Sequence, residues 1–155
     1  MGIRDRLRAL GMELPAPPSA VAAYLPAVRI GPLVYTSGQL PFHQGKLLAE
    51  GRVNREVTVD AAYHAARQCA LNALSVAGAL LGDVDHIRRV IKVVGFVQSA
   101  EDFHGQPQVI NGASDFFYEL MGEAGQHARS AVGVIALPLN AAVEVEVIFE
   151  TDLQS

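Results

Sequence analysis

Cys69 is the only cysteine in the 155 residues, so neither an intrachain disulfide nor a cysteine-built zinc site can form. Tryptophan is absent, and charged residues make up just 18% of the chain. Twelve Lys and Arg stand against sixteen Asp and Glu, a net charge of −4, which excludes a generally cationic surface of the kind that grips nucleic-acid backbones. No apolar run is fit to span a bilayer. The longest, around residues 65–81, is interrupted by Arg67, Gln68, Asn72 and Ser75 and reads as an amphipathic helix. The N-terminal charges are not followed by an apolar core, and Leu7 stands where a myristoylation signal needs Ser or Thr. A soluble cytoplasmic protein without a membrane partner is the expectation. There is no P-loop and no GxGxxG, so nothing is built to cradle a nucleotide phosphate. His43, His64, His86, His104 and His127 show neither HxH nor HExxH spacing; they read as surface or structural residues, and no metal site is expected.

What is present is apolar material. Half the residues are hydrophobic, which excludes disorder, and a chain of this length forms one domain that buries roughly 70% of its unfolded surface. Charge this sparse also suggests that other subunits cover part of the surface. Residues 1–23 read as an appendage: a short basic helix over Ile3–Leu10 with Ile3, Leu7 and Leu10 on one side, stopped by Gly11 and followed by the stiff Pro15–Pro18 connector. Residues 24–155 form the main domain. Val28–Ile30 and Leu33–Thr36 read as strands around a Gly31-Pro32 turn, and residues 42–57 as mostly loop.

The clearest helix begins after Thr58, a suitable N-cap, and ends at Leu81 before Gly82. Ala62, Ala66, Cys69, Ala73, Val76, Ala77 and Leu80 line its apolar stripe, with His64, Gln68 and Ser75 opposite. Val90–Val97 is so continuously apolar that a central strand covered on both faces is expected. A second helix spans Pro107–Met121, and two strands follow at Ser130–Ala136 and Ala142–Glu150. The order β-β-α-β-α-β-β makes a two-layer α/β domain, a mixed sheet of about six strands with two helices on one face. Val132, Val134, Val143, Val145 and Val147 are then expected to face the helices, leaving Ala131, Gly133, Ile135 and Ile148 on an open apolar face.

Few residues offer chemistry. Ser37, in Thr-Ser-Gly-Gln, lacks the first glycine of a nucleophile elbow, and Cys69 sits in the helix stripe as a small buried thiol. Arg129 is different. It opens an otherwise uncharged strand, where a guanidinium destabilises the fold unless an anion meets it. That anion is either Glu144 or Glu146 on the neighbouring strand or the carboxylate of a ligand. Glu144 itself lies among apolar neighbours, which favours a raised pKa and acid–base competence.

Tyr24, then thirteen residues on Ser37-Gly38-Gln39-Leu40-Pro41, then Asn111 with Phe116-Phe117, Ala128–Val134, Leu137-Pro138 and Val143–Glu146 resemble the RidA/YjgF family over about residues 24–149. These are the reactive-intermediate deaminases, also called L-PSP endoribonuclease-like. The resemblance implies a chorismate-mutase-like fold and a homotrimer with ligand sites between subunits. It implies hydrolysis of reactive enamines and imines of the 2-aminoacrylate type to 2-oxo acids and ammonia, with no cofactor and no metal. By the same resemblance Arg129 grips the substrate carboxylate and Glu144 positions or activates water. Tyr24, Ser37, Gly38, Asn111 and Ala131 line the cleft. Two positions depart from the family pattern: Ala131 stands where a cysteine is usual and Gly133 where an acidic residue is common. A non-catalytic trimer that binds 2-oxo acids or similar small carboxylates is the rival reading, and an L-PSP-type ribonuclease a second, disfavoured by the charge. Chorismate mutase activity does not follow from a shared fold.

Overall fold

The computed structural model describes residues 1–19 and 22–154. Residues 20 and 21, in the expected appendage over residues 1–23, lie outside the described residues. In chain order the elements are α1 (Ile3–Ala9), β1 (Ala27–Ile30), β2 (Leu33–Thr36), β3 (Phe42–His43), β4 (Lys46–Leu47), α2 (Val59–Leu81), β5 (Ile87–Gln98), α3 (Gln106–Met121), β6 (Ala128–Val134) and β7 (Val143–Thr151). Five strands, rather than about six, form the main sheet in the order β1-β2-β7-β5-β6. The expected loop over residues 42–57 contains β3 and β4, a small hairpin with its own two-stranded sheet. Pairing is antiparallel except between β5 and β6, which run parallel because α3 carries the chain back along the sheet.

Local chemistry explains the helices. Thr58 Oγ1 accepts from the Ala61 amide at 3.1 Å and caps α2, while Gly82 closes it in the left-handed region at φ 83°. The alanines at 62, 66, 73 and 77, with Cys69 and Val76, are buried as their spacing predicts. Two side chains depart from the expected stripe. Leu80 is 45% exposed, whereas Ser75 is buried, its hydroxyl donating to the Pro15 carbonyl. The N-terminal segment lies over that side of α2, so a polar residue there has a backbone partner instead of water. Ile3 and Leu7 of α1 are likewise buried in the common core, and Arg6 donates to the Leu120 carbonyl at 3.2 Å.

The helices cover one face of the sheet. On that face lie Val90, Val93 and Val97 of β5 with Val143, Val145, Val147 and Phe149 of β7, all buried. The opposite face is open: Val94 and Phe96 of β5 are only half-buried, and Val132 of β6 is 45% exposed. Coverage of Val90–Val97 on both sides is therefore not met within one chain. The strand expected at Ser130–Ala136 begins two residues earlier, at Ala128. Its faces are also reversed. Ala131 pairs with Gly95 and packs against the core, while Val132 pairs with Phe96 on the open side. Ile135 lies beyond the strand and is 82% exposed.

Helices α2 and α3 cross in close contact at Gly112. A Cβ there would run into the Tyr63 carbonyl and come within 3.2 Å of the Arg67 amide nitrogen. Overpacking of this kind costs about 1–3 kcal/mol. Gly112→Ala is expected to lower the urea midpoint by that amount at unchanged m-value, measured by equilibrium unfolding followed by circular dichroism. An unchanged midpoint would mean that the helices separate freely.

Candidate functional site

The residues singled out in the sequence fall into two clusters, one on each face of the sheet. The first lies where α3 crosses β6. Arg129 pairs in register with Val93 and therefore points to the helix face. Its Nη1 donates to Asn111 Oδ1 at 2.7 Å and to Ser114 Oγ at 3.1 Å. Asn111 and Ser114 are three residues apart on α3, hence on one side of that helix. The acidic partners expected for Arg129 are not used. Their strand, β7, is not next to β6 as expected, since β5 lies between; Glu146 and Glu144 pair with Val94 and Phe96, whose side chains occupy the opposite face, so neither carboxylate reaches the guanidinium. Among the described residues Arg129 forms no ion pair, and its Nε and Nη2 form no hydrogen bond. A partly buried cation is left with two neutral acceptors.

Ser114 and His127 were not evident as site residues in the sequence. The spacing of His127 marks it in the sequence as no more than a surface or structural histidine. Its Nε2 lies 2.9 Å from Ser114 Oγ and its Nδ1 2.6 Å from the Gly125 carbonyl. Burial holds the imidazole below the usual histidine pKa and the neighbouring Arg129 adds to this, against the opposing pull of the Gly125 carbonyl. Two spacings carry the signal that would have found the pair. Asn111 and Ser114 share a helix side, and His127 and Arg129 share a face by strand alternation. Ala131 follows two residues after Arg129 on the same face. Gly133 comes next, where a Cβ would meet Gln106 Nε2 at 2.8 Å and Ser99 Oγ at 3.1 Å, so the acidic residue common in the resembled family would have to displace the Gln106 amide.

The second cluster surrounds Glu144 on the open face. Residues 37–41 are docked onto β7 by reciprocal backbone bonds, Gln39 N to Val145 O at 2.8 Å and Val145 N to Gln39 O at 3.0 Å. Asn72 of α2 holds the same loop by donating to the Leu40 and Phe42 carbonyls, each at 3.0 Å. This brings Gly38 against the Glu144 carboxylate, whose Cδ would lie 2.8 Å from a Cβ at that position. A larger residue there would have to displace the Glu144 carboxylate. Ser37 Oγ donates to the Leu25 carbonyl at 2.6 Å and ties the segment carrying Tyr24, itself 54% exposed, to the same corner. Burial raises the Glu144 pKa above the ordinary carboxylate value, and Glu146 two residues on adds to the rise. Across the sheet, burial pushes the Cys69 thiol well up, with Glu144 contributing, so no thiolate is available there.

A groove of about 810 Å³ lies beyond Gly133, lined among others by Arg52, Arg55, Ser99, His104 and Gln106. It touches neither Arg129 nor Glu144. Its cations are engaged as well: Arg52 donates to the Ser99 carbonyl at 3.2 Å and Arg55 faces Asp102 at 3.4 Å. Among the described residues no cluster of three metal-ligating side chains occurs, and no helix is long and apolar enough to cross a membrane.

Residues 4–151 match the family model described as YjgF/chorismate mutase-like, putative endoribonuclease. The chain is 42% identical to Protein TCP17 of Trypanosoma cruzi over 149 residues, 96% of this chain and 93% of that one. It is 33% identical to a 2-iminobutanoate/2-iminopropanoate deaminase of Dermatophagoides farinae, covering 87% of this chain and 91% of the other. The crystal structure of a protein of unknown function from Agrobacterium tumefaciens superposes with a TM-score of 0.89 at 48% identity, over 97% of this chain and 92% of that one.

Glu144 also has a measurable effect on stability. Its folded pKa is raised above the unfolded value, so its contribution favours folding below the unfolded pKa and is lost as pH rises through the folded pKa. Glu144→Gln, which cannot ionise, is expected to melt higher than the native chain at pH 7, with the gap closing towards pH 4. Differential scanning calorimetry at both pH values checks this, and a gap that does not change with pH would contradict it.

Proposed function

We propose that this chain, which belongs to the YjgF/chorismate mutase-like family, hydrolyses reactive enamines and imines of the 2-aminoacrylate type to 2-oxo acids and ammonia. One observation carries the reading. Arg129 is a partly buried guanidinium whose charge no carboxylate meets among the described residues, and its Nε–Nη2 edge is free. Two parallel N–H donors on that edge match the two oxygens of a carboxylate. Relatives named 2-iminobutanoate/2-iminopropanoate deaminase support the substrate class.

The chemistry asks little of the protein. An imine carbon next to a carboxylate is already electrophilic, so water adds to it without a cofactor. Glu144, with its raised pKa, accepts a proton from the attacking water and returns one to nitrogen. The C–N bond then breaks, and ammonia and the 2-oxo acid leave; one water is consumed for each ammonia released. Within one chain Arg129 and Glu144 point to opposite faces, so the carboxylate anchor of one copy works with Glu144, Gly38, Ser37 and Tyr24 of the next. A homotrimer with sites between subunits fits that arrangement. It also covers Val94, Phe96 and Val132, an apolar face that soluble monomers seldom expose. Ala131 favours a second reading, a trimer that binds 2-oxo acids without turning imines over, since it offers only backbone where the family's usual cysteine has a thiol.

Imine decay separates the two. With 2-aminoacrylate or 2-iminobutyrate generated in place by a dehydratase, the native chain is expected to accelerate decay, and Glu144→Gln to lower kcat by ~10²-fold with pyruvate affinity retained. Arg129→Ala should weaken pyruvate binding by roughly 30- to 1,000-fold, or about 2–4 kcal/mol, in isothermal titration, and Arg129→Lys should not restore it. No acceleration together with intact pyruvate binding selects the binding reading, and equal pyruvate affinity in Arg129→Ala rejects both. Native mass spectrometry tests the assembly. Trimers are expected for the native chain and their loss in Val132→Asp; a native monomer at micromolar concentration would overturn the shared site.

A further inference from the structure

With a neutral imidazole, the hydrogen bonds behind Arg129 form a chain with one consistent assignment of protons. A carbonyl oxygen can only accept, so His127 Nδ1, 2.6 Å from the Gly125 carbonyl, carries the ring proton. On the neutral ring Nε2 is then an acceptor, and the proton that reaches it, at 2.9 Å, is that of the Ser114 hydroxyl. With its proton committed to the imidazole, Ser114 Oγ turns a lone pair to Arg129 Nη1 at 3.1 Å. Asn111 Oδ1 accepts the other Nη1 hydrogen at 2.7 Å. Both hydrogens of Nη1 are thereby occupied and the guanidinium plane is fixed. The ring cannot easily turn away, because it is partly buried with Phe117 set edge-on against it, centroids 6.1 Å apart at 81°.

Resting on the reading of Arg129 as a carboxylate anchor, we propose that Ser114 and His127 are its positioning residues: the imidazole orients the serine hydroxyl, and the hydroxyl oxygen holds the guanidinium with its Nε–Nη2 edge turned to the ligand. Asn111 alone fixes one hydrogen and lets the plane swing about that bond. A second acceptor, pinned by a third group, removes this freedom. The arrangement matters for a two-oxygen ligand, which needs both donors aligned at once, and hardly at all for a monatomic anion, which needs only charge.

The test compares Ser114→Ala, His127→Ala, His127→Gln and the double variant Ser114→Ala/His127→Ala with the native chain. The first readout needs no ligand: nitrogen-15 NMR of the Arg129 side chain, in which restricted rotation keeps the two Nη signals apart. Distinct signals are expected in the native chain, and faster exchange between them in Ser114→Ala and His127→Ala. The second readout is the dissociation constant for pyruvate against that for chloride. Each single alanine variant should weaken pyruvate roughly 3- to 10-fold, the size of one hydrogen bond, and leave chloride within error. The double variant should lose no more than either single one, since the residues act in series. His127→Gln, whose amide oxygen accepts the same hydroxyl, should recover most of the loss. Unchanged Nη exchange in both single variants, or additive losses in the double, would overturn the proposal. A native chain that binds no pyruvate would reject the anchor reading instead, and the NMR series would still decide whether the pair positions Arg129.

Discussion

Side chains alternate between the faces of a strand, and in this molecule the alternation separates two charges that its chemistry would use together. The register across β7, β5 and β6 sends Arg129 under α3 with Val93 and Val147, and Glu144 to the far side with Phe96 and Val132. Most of the rest follows from that division. Helix α3 meets the arginine with an amide and a hydroxyl, not with a carboxylate. The loop over residues 37–41 is pinned to β7 so that a glycine can lie against the glutamate. Among the described residues each half is electrostatically incomplete, a guanidinium that no carboxylate meets on one face and a carboxyl that no cation meets on the other.

The elements with strong periodicity were legible in the sequence. Thr58, Gly82 and the alanine spacing define α2 almost to the residue, and the valine alternation of β7 gives its buried face. Strand β6 was not legible in the same way. Ala131–Ala136 offers no polar residue to mark a face, and a shift by one residue turns every side chain over, so Ala131 and Val132 exchange places relative to expectation. Ser75 shows a different limit. Its burial depends on the Pro15 carbonyl, sixty positions away in the chain, and no local pattern encodes that contact.

The site was legible as a set of residues but not as an arrangement. The family resemblance supplies Tyr24, Ser37, Gly38, Asn111, Arg129, Ala131 and Glu144, yet it does not say that they split between two faces. Nor does it point to Ser114 and His127, whose link to Arg129 exists only because α3 is laid across β6. The acidic candidates for Arg129 were reasonable on strand adjacency. They fail because β5 lies between β6 and β7, and because Glu144 and Glu146 do not share a face with Arg129.

Strand β7 is the last element of the described chain and yet lies near the middle of the sheet, between β2 and β5. During synthesis on the ribosome the β1-β2 hairpin therefore has no further strand to join until Thr151 has emerged, and β5 and β6 are left with an unsatisfied edge until then. A nascent chain in that state exposes backbone donors and acceptors beside apolar side chains, the conditions under which strands pair with the wrong molecule. Contacts as distant as Val34 with Phe149 also place this topology among the slower-folding domains. Helices α2 and α3, both complete before β7 emerges and packed on each other, are the parts able to form early and shield the waiting strands.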